Sequence, residues 1–349
     1  MPNSQAIQQK HLKFIDLFAG IGGFRYAIQN AAKNRQWTTE CVFTSEIDSE
    51  CQRVYKENFG ELPHGDITLI EPKSIPDHDI LLAGFPCQPF SIIGNMKGFK
   101  DTRGTLFFNI ASILDAKKPA AFVLENVKLL VGHNNGKTIT HIMETLKELG
   151  YHATYKVFNA LDFGLPQKRE RVFIVGFLEP TFFDWPNNKI PMKPLSELLE
   201  KEVPESYFAT EHIRKKRLSK QAPTNEATIW HENKAGNISA YPYSCALRAG
   251  ASYNYLLVNG ERRLTSREML RLQGFPESFK IVCNYSQTRK QAGNSLPVPV
   301  AQAIIENVIR AFNLSTSRDY QTDKLIVDRQ LNIFEKKGIY EQIAQVANS

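Results

Sequence analysis

The chain has 349 residues, 42% of them hydrophobic and 23% charged, which suits one large globular domain or two ordinary ones and excludes a mostly disordered polypeptide. Its apolar runs, such as Ile80 to Phe85, fall far short of the roughly 20 residues of a spanning helix. The polar start (Asn3, Ser4, Gln5, Gln8, Gln9, Lys10) lacks a secretory core, so a soluble, cytoplasmic protein without a membrane partner is expected. The 43 Lys and Arg against 36 Asp and Glu leave a net charge of +7, compatible with a polyanionic partner and equally with a plain basic surface.

From Lys13 to Phe177 strand-like and helix-like segments alternate. Phe14–Phe18 reads as a buried strand running into Gly20, Gly22 and Gly23, followed by a helix through Ala27 and Ile28. Cys41–Thr44 is a second strand, and a short third one ends near Gly65-Asp66-Ile67. Asp79–Ala83 makes a fourth strand that enters a Pro- and Gly-rich loop. Leu106, Ile110, Ile113 and Leu114 recur at helical spacing before the apolar strand Ala120–Leu124. Ile139, Ile142, Met143, Leu146 and Leu149 repeat that spacing before strands Tyr151–Phe158 and Arg171–Phe177. Such alternation predicts an α/β fold of the Rossmann-like kind, a mainly parallel sheet with helices on both faces.

The alternation then breaks. Residues 181–262 are rich in prolines and polar residues and hold the basic run Arg214-Lys215-Lys216-Arg217, which predicts a second, smaller and irregular domain, since so long a structureless loop would be unusual. Helical character returns at Ser266–Leu272 and from Val298 to about Phe312. The expected division is therefore 12–180, 181–262, a return to the first domain at 263–312, and an extension at 313–349 with no functional signal.

Four constellations carry chemistry. In the first, Asp16-Leu17-Phe18-Ala19-Gly20-Ile21-Gly22-Gly23-Phe24, a strand feeds a glycine turn where a ligand can approach the backbone at a helix start. Arg25 leaves the dinucleotide fingerprint incomplete. Glu46 stands after the second strand at the spacing of an acid that bonds ribose hydroxyls, and Asp66 is placed to accept from an adenine amino group. Together these fit an adenosine-containing cofactor, whereas the glycines alone would equally make a tight turn.

The second constellation, Gly84-Phe85-Pro86-Cys87-Gln88-Pro89-Phe90-Ser91, follows the fourth strand, at the end where open parallel sheets build their crevice. Of the five cysteines (Cys41, Cys51, Cys87, Cys245, Cys283), an odd set with no C-x-x-C pair and so no disulfide framework or paired metal site, Cys87 alone stands there. Taken alone it is as readily a structural thiol. The third, Glu125-Asn126-Val127, ends the next strand. Pairing of that strand with the one before Cys87, about 4.8 Å away, would set both side chains over one crevice. The fourth, Gln167-Lys168-Arg169-Glu170-Arg171, opens a later strand; in isolation it reads as solvated surface.

In this order these segments resemble the C5-cytosine DNA methyltransferases of bacterial restriction–modification systems. The resemblance extends to Arg263-Leu264-Thr265-Ser266-Arg267-Glu268, Gln273-Gly274-Phe275-Pro276 and Gln291-Ala292-Gly293-Asn294-Ser295-Leu296-Pro297-Val298-Pro299, and covers about Phe14 to Ile309. It implies an S-adenosylmethionine-dependent enzyme that methylates C5 of a cytosine flipped out of double-stranded DNA. Such an enzyme would work as a monomer, paired in function with a restriction endonuclease but not necessarily bound to it.

By resemblance, Cys87 is the nucleophile, Glu125 bonds or protonates N3 of the base, and Arg171 with Arg169 stabilises its charge. The cofactor site would comprise Phe18 against the adenine, Ala19, Gly20, Gly22 and Gly23 in the turn, Glu46 on the ribose, Asp66 on the adenine amino group, and Ile67, Pro86, Asn294 and Ser295 lining the pocket. No metal is implied. Several relatives carry Trp where this chain has Ile47, so one wall of the adenine site would be aliphatic. Some carry Ser where it has Ile93. Ser91, Arg103, Arg214, Lys215, Lys216 and Arg217 are the expected DNA contacts, with residues 184–262 reading sequence. The alternatives are a tRNA cytosine-5 methyltransferase sharing these motifs, or an inactive DNA-binding regulator, which the joint presence of Cys87, Glu125 and Arg171 disfavours.

Overall fold

The computed structural model describes residues 10–86 and 106–315. In chain order the first part runs β1 (His11–Leu17), α1 (Gly23–Lys33), β2 (Thr38–Ser45), α2 (Ser49–Phe59), β3 (Ile80–Gly84), α3 (Leu106–Lys117), β4 (Ala121–Val127), α4 (Leu129–Gly132), α5 (Lys137–Glu148), β5 (His152–Asn159), β6 (Gln167–Lys168) and β7 (Glu170–Phe177). A six-stranded sheet takes the order β2-β1-β3-β4-β7-β5. β2, β1, β3 and β4 are parallel, whereas β7 runs antiparallel to both β4 and β5.

The central strands are apolar on both faces because helices cover both. Phe14, Leu82, Val123 and Val175 look toward α1 and the later helices α7 (Ser266–Gln273) and α9 (Val298–Ser315). Ile15, Leu17, Leu81, Leu124 and Ile174 look toward α3 and α5. α1 lies along α9, which folds the end of the described chain back onto the first helix.

Local sequence sets several of these boundaries. Gly22 caps α1 at φ +87, and a Cβ there would stand 2.2 Å from the Phe59 ring, so both the backbone and the packing demand glycine. Asp48 caps α2 by accepting from the Glu50 and Cys51 N–H groups. One expectation is corrected: the short strand near Gly65-Asp66-Ile67 shrinks to a single bridge between Ser45 and His64, and Ile67–Leu69 forms a 3-10 turn. The Asp66 carboxylate accepts from the Thr68 N–H and bends the chain where a ladder would have continued.

Residues 181–262 are not a loop. They hold α6 (Glu211–Leu218) and an antiparallel sheet of β8 (Ile229–Glu232), β9 (Ile238–Tyr241) and β11 (Leu256–Val258) in the order β11-β8-β9 around the fully buried Trp230. β10 (Ser244–Cys245) pairs in parallel with β6, stitching this region to the edge of the first. Among the described residues no helix is long and apolar enough to cross a membrane.

The chain re-enters the first region through a buried ion pair. Arg262 donates twice to Glu268, at 2.9 and 2.8 Å, and Glu268 is wholly buried. Glu268 also closes a capping box with Thr265 at the start of α7 and accepts from the Glu200 N–H. This pair gives the Arg263–Glu268 motif a structural purpose. Replacing Glu268 with Ala strands the Arg262 charge in the core and is expected to cost about 3–5 kcal/mol of unfolding free energy. Denaturant titration checks this; a loss below about 1 kcal/mol would mean that Arg262 finds other partners.

Candidate active site

The carboxyl ends of β1, β2, β3 and β4 open onto a cleft of about 680 Å³. Phe18, just past β1, adopts φ +55, an unusual conformation for a bulky residue. The turn is held by the Ala19 N–H donating to Ser45 O at 3.0 Å, and it leaves the Phe18 ring on the cleft wall. Glu46, at the end of β2, accepts from the Gly20 N–H at 2.7 Å through one carboxylate oxygen and from the Asp48 N–H at 2.8 Å through the other. Two backbone donors thus fix its direction and leave lone pairs for a diol. Asp66 uses one oxygen for its turn and lines the cleft beside Ile67.

Ala19, Gly20, Gly23, Ile47, Pro86, Asn294 and Ser295 line the same cleft. Gly22 does not; it is a packing residue against Phe59. Ile47 is 70% exposed, an open aliphatic wall. An aromatic face, a fixed carboxylate, a second acceptor and apolar walls, in a volume within the usual range for small-molecule sites, fit an adenosine-containing cofactor.

The other end of the cleft is ionic. β3 and β4 pair so that Gly84 stands opposite Glu125, and the Asn126 side chain donates to Phe85 O at 2.9 Å, pinning the chain that leads to Cys87. Across β7, Val127 faces Arg171 and Glu125 faces Phe173, which makes Glu125 and Arg171 diagonal neighbours on one face. Arg171 Nε meets Glu125 Oε1 at 2.9 Å. Burial raises the Glu125 carboxyl above the usual carboxylate range, against the pull of Arg171 and Arg169. The same burial lowers Arg171, opposed by Glu125. The pair is largely desolvated and lines the cleft.

Other expected residues lie elsewhere. Cys87, Ser91, Ile93 and Arg103 fall outside the described residues. Arg169 does not line the cleft: its guanidinium donates to Leu247 O, Gly293 O and Ser295 O, so it bonds backbone, not a base. Arg217 is likewise corrected, since it is 1% exposed, bonds Trp230 O and Asn254 O, and pairs with Glu232. Lys215 and Lys216 pair with Glu211 and Glu232, and Arg214 is half-buried on the same short helix.

Sequence reading also missed residues. Asp16 is fully buried behind the glycine turn, and desolvation, opposed by Arg25 and reinforced by Glu46, pushes its carboxyl up to about 8. Gln291 joins the cleft wall. An arginine–tyrosine cluster gathers Arg248, Tyr253, Arg263, Tyr285 and Arg289: Arg289 sits 4.6 Å over the Tyr253 ring and Arg263 5.6 Å over Tyr285. Tyr253 is 47% exposed and Arg248 is exposed. The sequence signal was the spacing of Arg248, Tyr253 and Tyr255, which a search for lysine runs passes over.

An open α/β sheet with a nucleoside-type cleft at its carboxyl edge and a buried acid–arginine pair beside it is the architecture of an S-adenosylmethionine-dependent methyltransferase. The family model for C-5 cytosine-specific DNA methylases matches residues 12–310. Type II methyltransferase M.HaeII of Haemophilus aegyptius is 56% identical over 322 residues, 90% of this chain and 98% of that protein. M.NgoBI of Neisseria gonorrhoeae is 59% identical over 297 residues, 83% and 91% of the two chains. The fold is that of the crystal structure of S. pombe Dnmt2 methyltransferase, with a TM-score of 0.66 at 22% identity over 87% of this chain and all of that one. The chain belongs to the C-5 cytosine-specific DNA methylase family. It transfers a methyl group from S-adenosylmethionine to C5 of cytosine in DNA.

The geometry of Glu46 generates a prediction. Glu46→Ala removes a pre-aligned, charge-assisted acceptor worth about 1.5–3 kcal/mol, so calorimetry with S-adenosylhomocysteine should show affinity falling by roughly ten- to over a hundred-fold. Unchanged affinity would take Glu46 out of the site.

Proposed function

We propose that this methyl transfer proceeds by covalent catalysis, with Cys87 as nucleophile, Glu125 as acid and Arg171 as the clamp that holds Glu125 and the base. The observation that carries the reading is the desolvated Glu125–Arg171 pair at 2.9 Å, beside the strand end that leads to Cys87. Cytosine C5 is a poor nucleophile. Addition of the Cys87 thiolate to C6 moves the ring's electrons toward N3 and C5. Glu125, its carboxyl raised by burial, hydrogen-bonds to or protonates N3, and Arg171 stabilises the negative charge that develops on the base. S-adenosylmethionine, which Phe18, Glu46 and Asp66 would hold, would give its sulfonium methyl group to the electron-rich C5 and leave as S-adenosylhomocysteine. Loss of the C5 proton then expels the thiolate and restores the aromatic ring.

A base in a duplex cannot reach Cys87, so the target leaves the stack. Residues 184–262 read the sequence around it. What supports this is the separation of that small sheet from the chemical residues, together with exposed Arg248 and Tyr253 within the same segment, whose guanidinium suits a phosphate and whose ring suits a base. The family and the Type II relatives support DNA as partner; to that we add a double-stranded substrate, a modification role beside a restriction endonuclease, a monomer and a cytoplasmic setting.

Two measurements test the chemistry. A duplex with fluorine at C5 of the target cytosine accepts the methyl group but has no C5 proton to lose. A denaturation-resistant adduct mapping to Cys87 is therefore expected, and Cys87→Ser should abolish it while DNA binding persists. An adduct on Cys41, Cys51, Cys245 or Cys283 would refute the mechanism.

For Glu125, the protonated form is the active one and its pKa is raised, so its contribution is complete below that pKa and is lost as pH rises through it. The wild-type kcat should therefore fall on the alkaline side. Glu125→Gln should lower kcat by on the order of 10²–10⁴ and flatten that limb; a variant that kept both would remove Glu125 from proton transfer.

A further inference from the structure

Arg169 is a buried cation that the chemistry of the cleft leaves unexplained. It is 1% exposed, and among the described residues no carboxylate forms an ion pair with it. Its Nη1 donates to Leu247 O at 3.0 Å, and its Nη2 to Gly293 O at 2.9 Å and Ser295 O at 2.5 Å. A cation solvated by carbonyls alone is an expensive way to hold a fold together, because an apolar side chain of similar volume usually serves stability as well. Its value lies in what it joins.

Leu247 opens the segment that carries Arg248 and Tyr253. Gly293 and Ser295 end α8 (Tyr285–Asn294) and form the cofactor wall with Asn294. The same joint is gripped a second time. Gln167 Oε1 accepts from the Leu247 N–H at 3.0 Å, and Gln167 Nε2 donates to Leu272 O at 2.7 Å. Gln273 Nε2 donates to Ala292 O. The backbones touch as well: a Cβ on Gly293 would stand 2.5 Å from the Ala249 nitrogen and 2.8 Å from the Arg248 carbonyl carbon. The two segments of this joint are thus in direct backbone contact and share the Arg169 fork.

We infer that Arg169 is a positioning residue that couples the two ligands: by holding Leu247, Gly293 and Ser295 in one joint, it orders the cofactor wall and the DNA-facing Arg248 segment together, so that each ligand strengthens the binding of the other. The inference rests on the reading given above of the cleft as cofactor site and of the Arg248 segment as DNA-facing. The ligand that binds first orders the shared joint, and the second meets it already ordered. Linkage requires the factor to be the same in both directions.

The test uses the full chain, S-adenosylhomocysteine, and a duplex bearing the site found by bisulfite sequencing of DNA from cells expressing the protein. Calorimetry measures S-adenosylhomocysteine affinity with the protein free and with it saturated by the duplex. The wild-type ratio is expected on the order of 5–150-fold. Arg169→Met should bring the ratio close to one, and Arg169→Lys, with charge but no fork, should fall between. Gly293→Ala, which wedges the joint from the other backbone without touching the charge, should lower the ratio too and keeps the test alive if Arg169→Met does not fold.

A wild-type ratio of one, or variants that weaken both ligands alike with the ratio intact, would overturn the proposal; the second result is what a purely structural arginine gives. Failure of the underlying reading looks different. Free protein that binds no S-adenosylhomocysteine would refute the cofactor site, and Arg248→Ala with undiminished DNA affinity would refute the DNA-facing segment.

Discussion

Glu125 and Arg171 meet because β7 runs against β4. In that register Glu125 lies opposite Phe173, and Arg171, two residues earlier on β7, reaches back to it along the diagonal. A parallel β7 would carry position 171 to the far end of the sheet. The reversed strand is therefore what turns an apolar sheet edge into a reactive one, and it sets an acid and a cation where desolvation strengthens their interaction and raises the acid. The pairing of β3 with β4 completes the geometry by placing Gly84 beside Glu125, where no side chain intrudes between the acid and the strand that leads to Cys87.

The cofactor half of the cleft depends on backbone in a different way. Glu46 is oriented by two N–H donors from two separate turns, one after β1 and one before α2. Asp48, which supplies one of them, also caps α2 and pairs with Lys290 on α8. A single loop thus holds the ribose acid, starts a helix and touches the returning part of the chain. Strain is accepted at Phe18 for the same end, since its left-handed conformation lets β1 turn sharply while the ring stays at the cleft.

Several charged residues turned inward against ordinary expectation. The stretch Gln167–Arg171 reads as solvated surface, yet Gln167 and Arg169 are buried while Lys168 is exposed. Alternation along an extended segment sends every second side chain inward, whatever its polarity, and the inward groups found carbonyls to satisfy them. Arg217 went the same way, into the small sheet around Trp230. The basic run that promised phosphate contacts is thus partly internal scaffolding. The cations with aromatic partners come instead from exposed Arg248 and half-buried Arg263 and Arg289, brought together from three separate stretches of chain.

The sequence by itself determined the alternating α/β order, the glycine turn after β1, and the positions of Glu46, Glu125 and Arg171 at strand ends, because hydrophobic period and turn residues are local properties. It also carried the ordered motifs by which the family was recognised. It did not determine that β7 is reversed, that the expected third strand collapses to a bridge and a turn, or that Gly22 serves packing rather than the cleft. Nor did it separate Arg171, which meets Glu125, from Arg169, two residues away, which bonds three carbonyls. Those outcomes depend on partners distant along the chain, from Phe59 against Gly22 to Gly293 and Ser295 against Arg169, and on how much water each charge loses when the pieces close. Only the tertiary structure decides them.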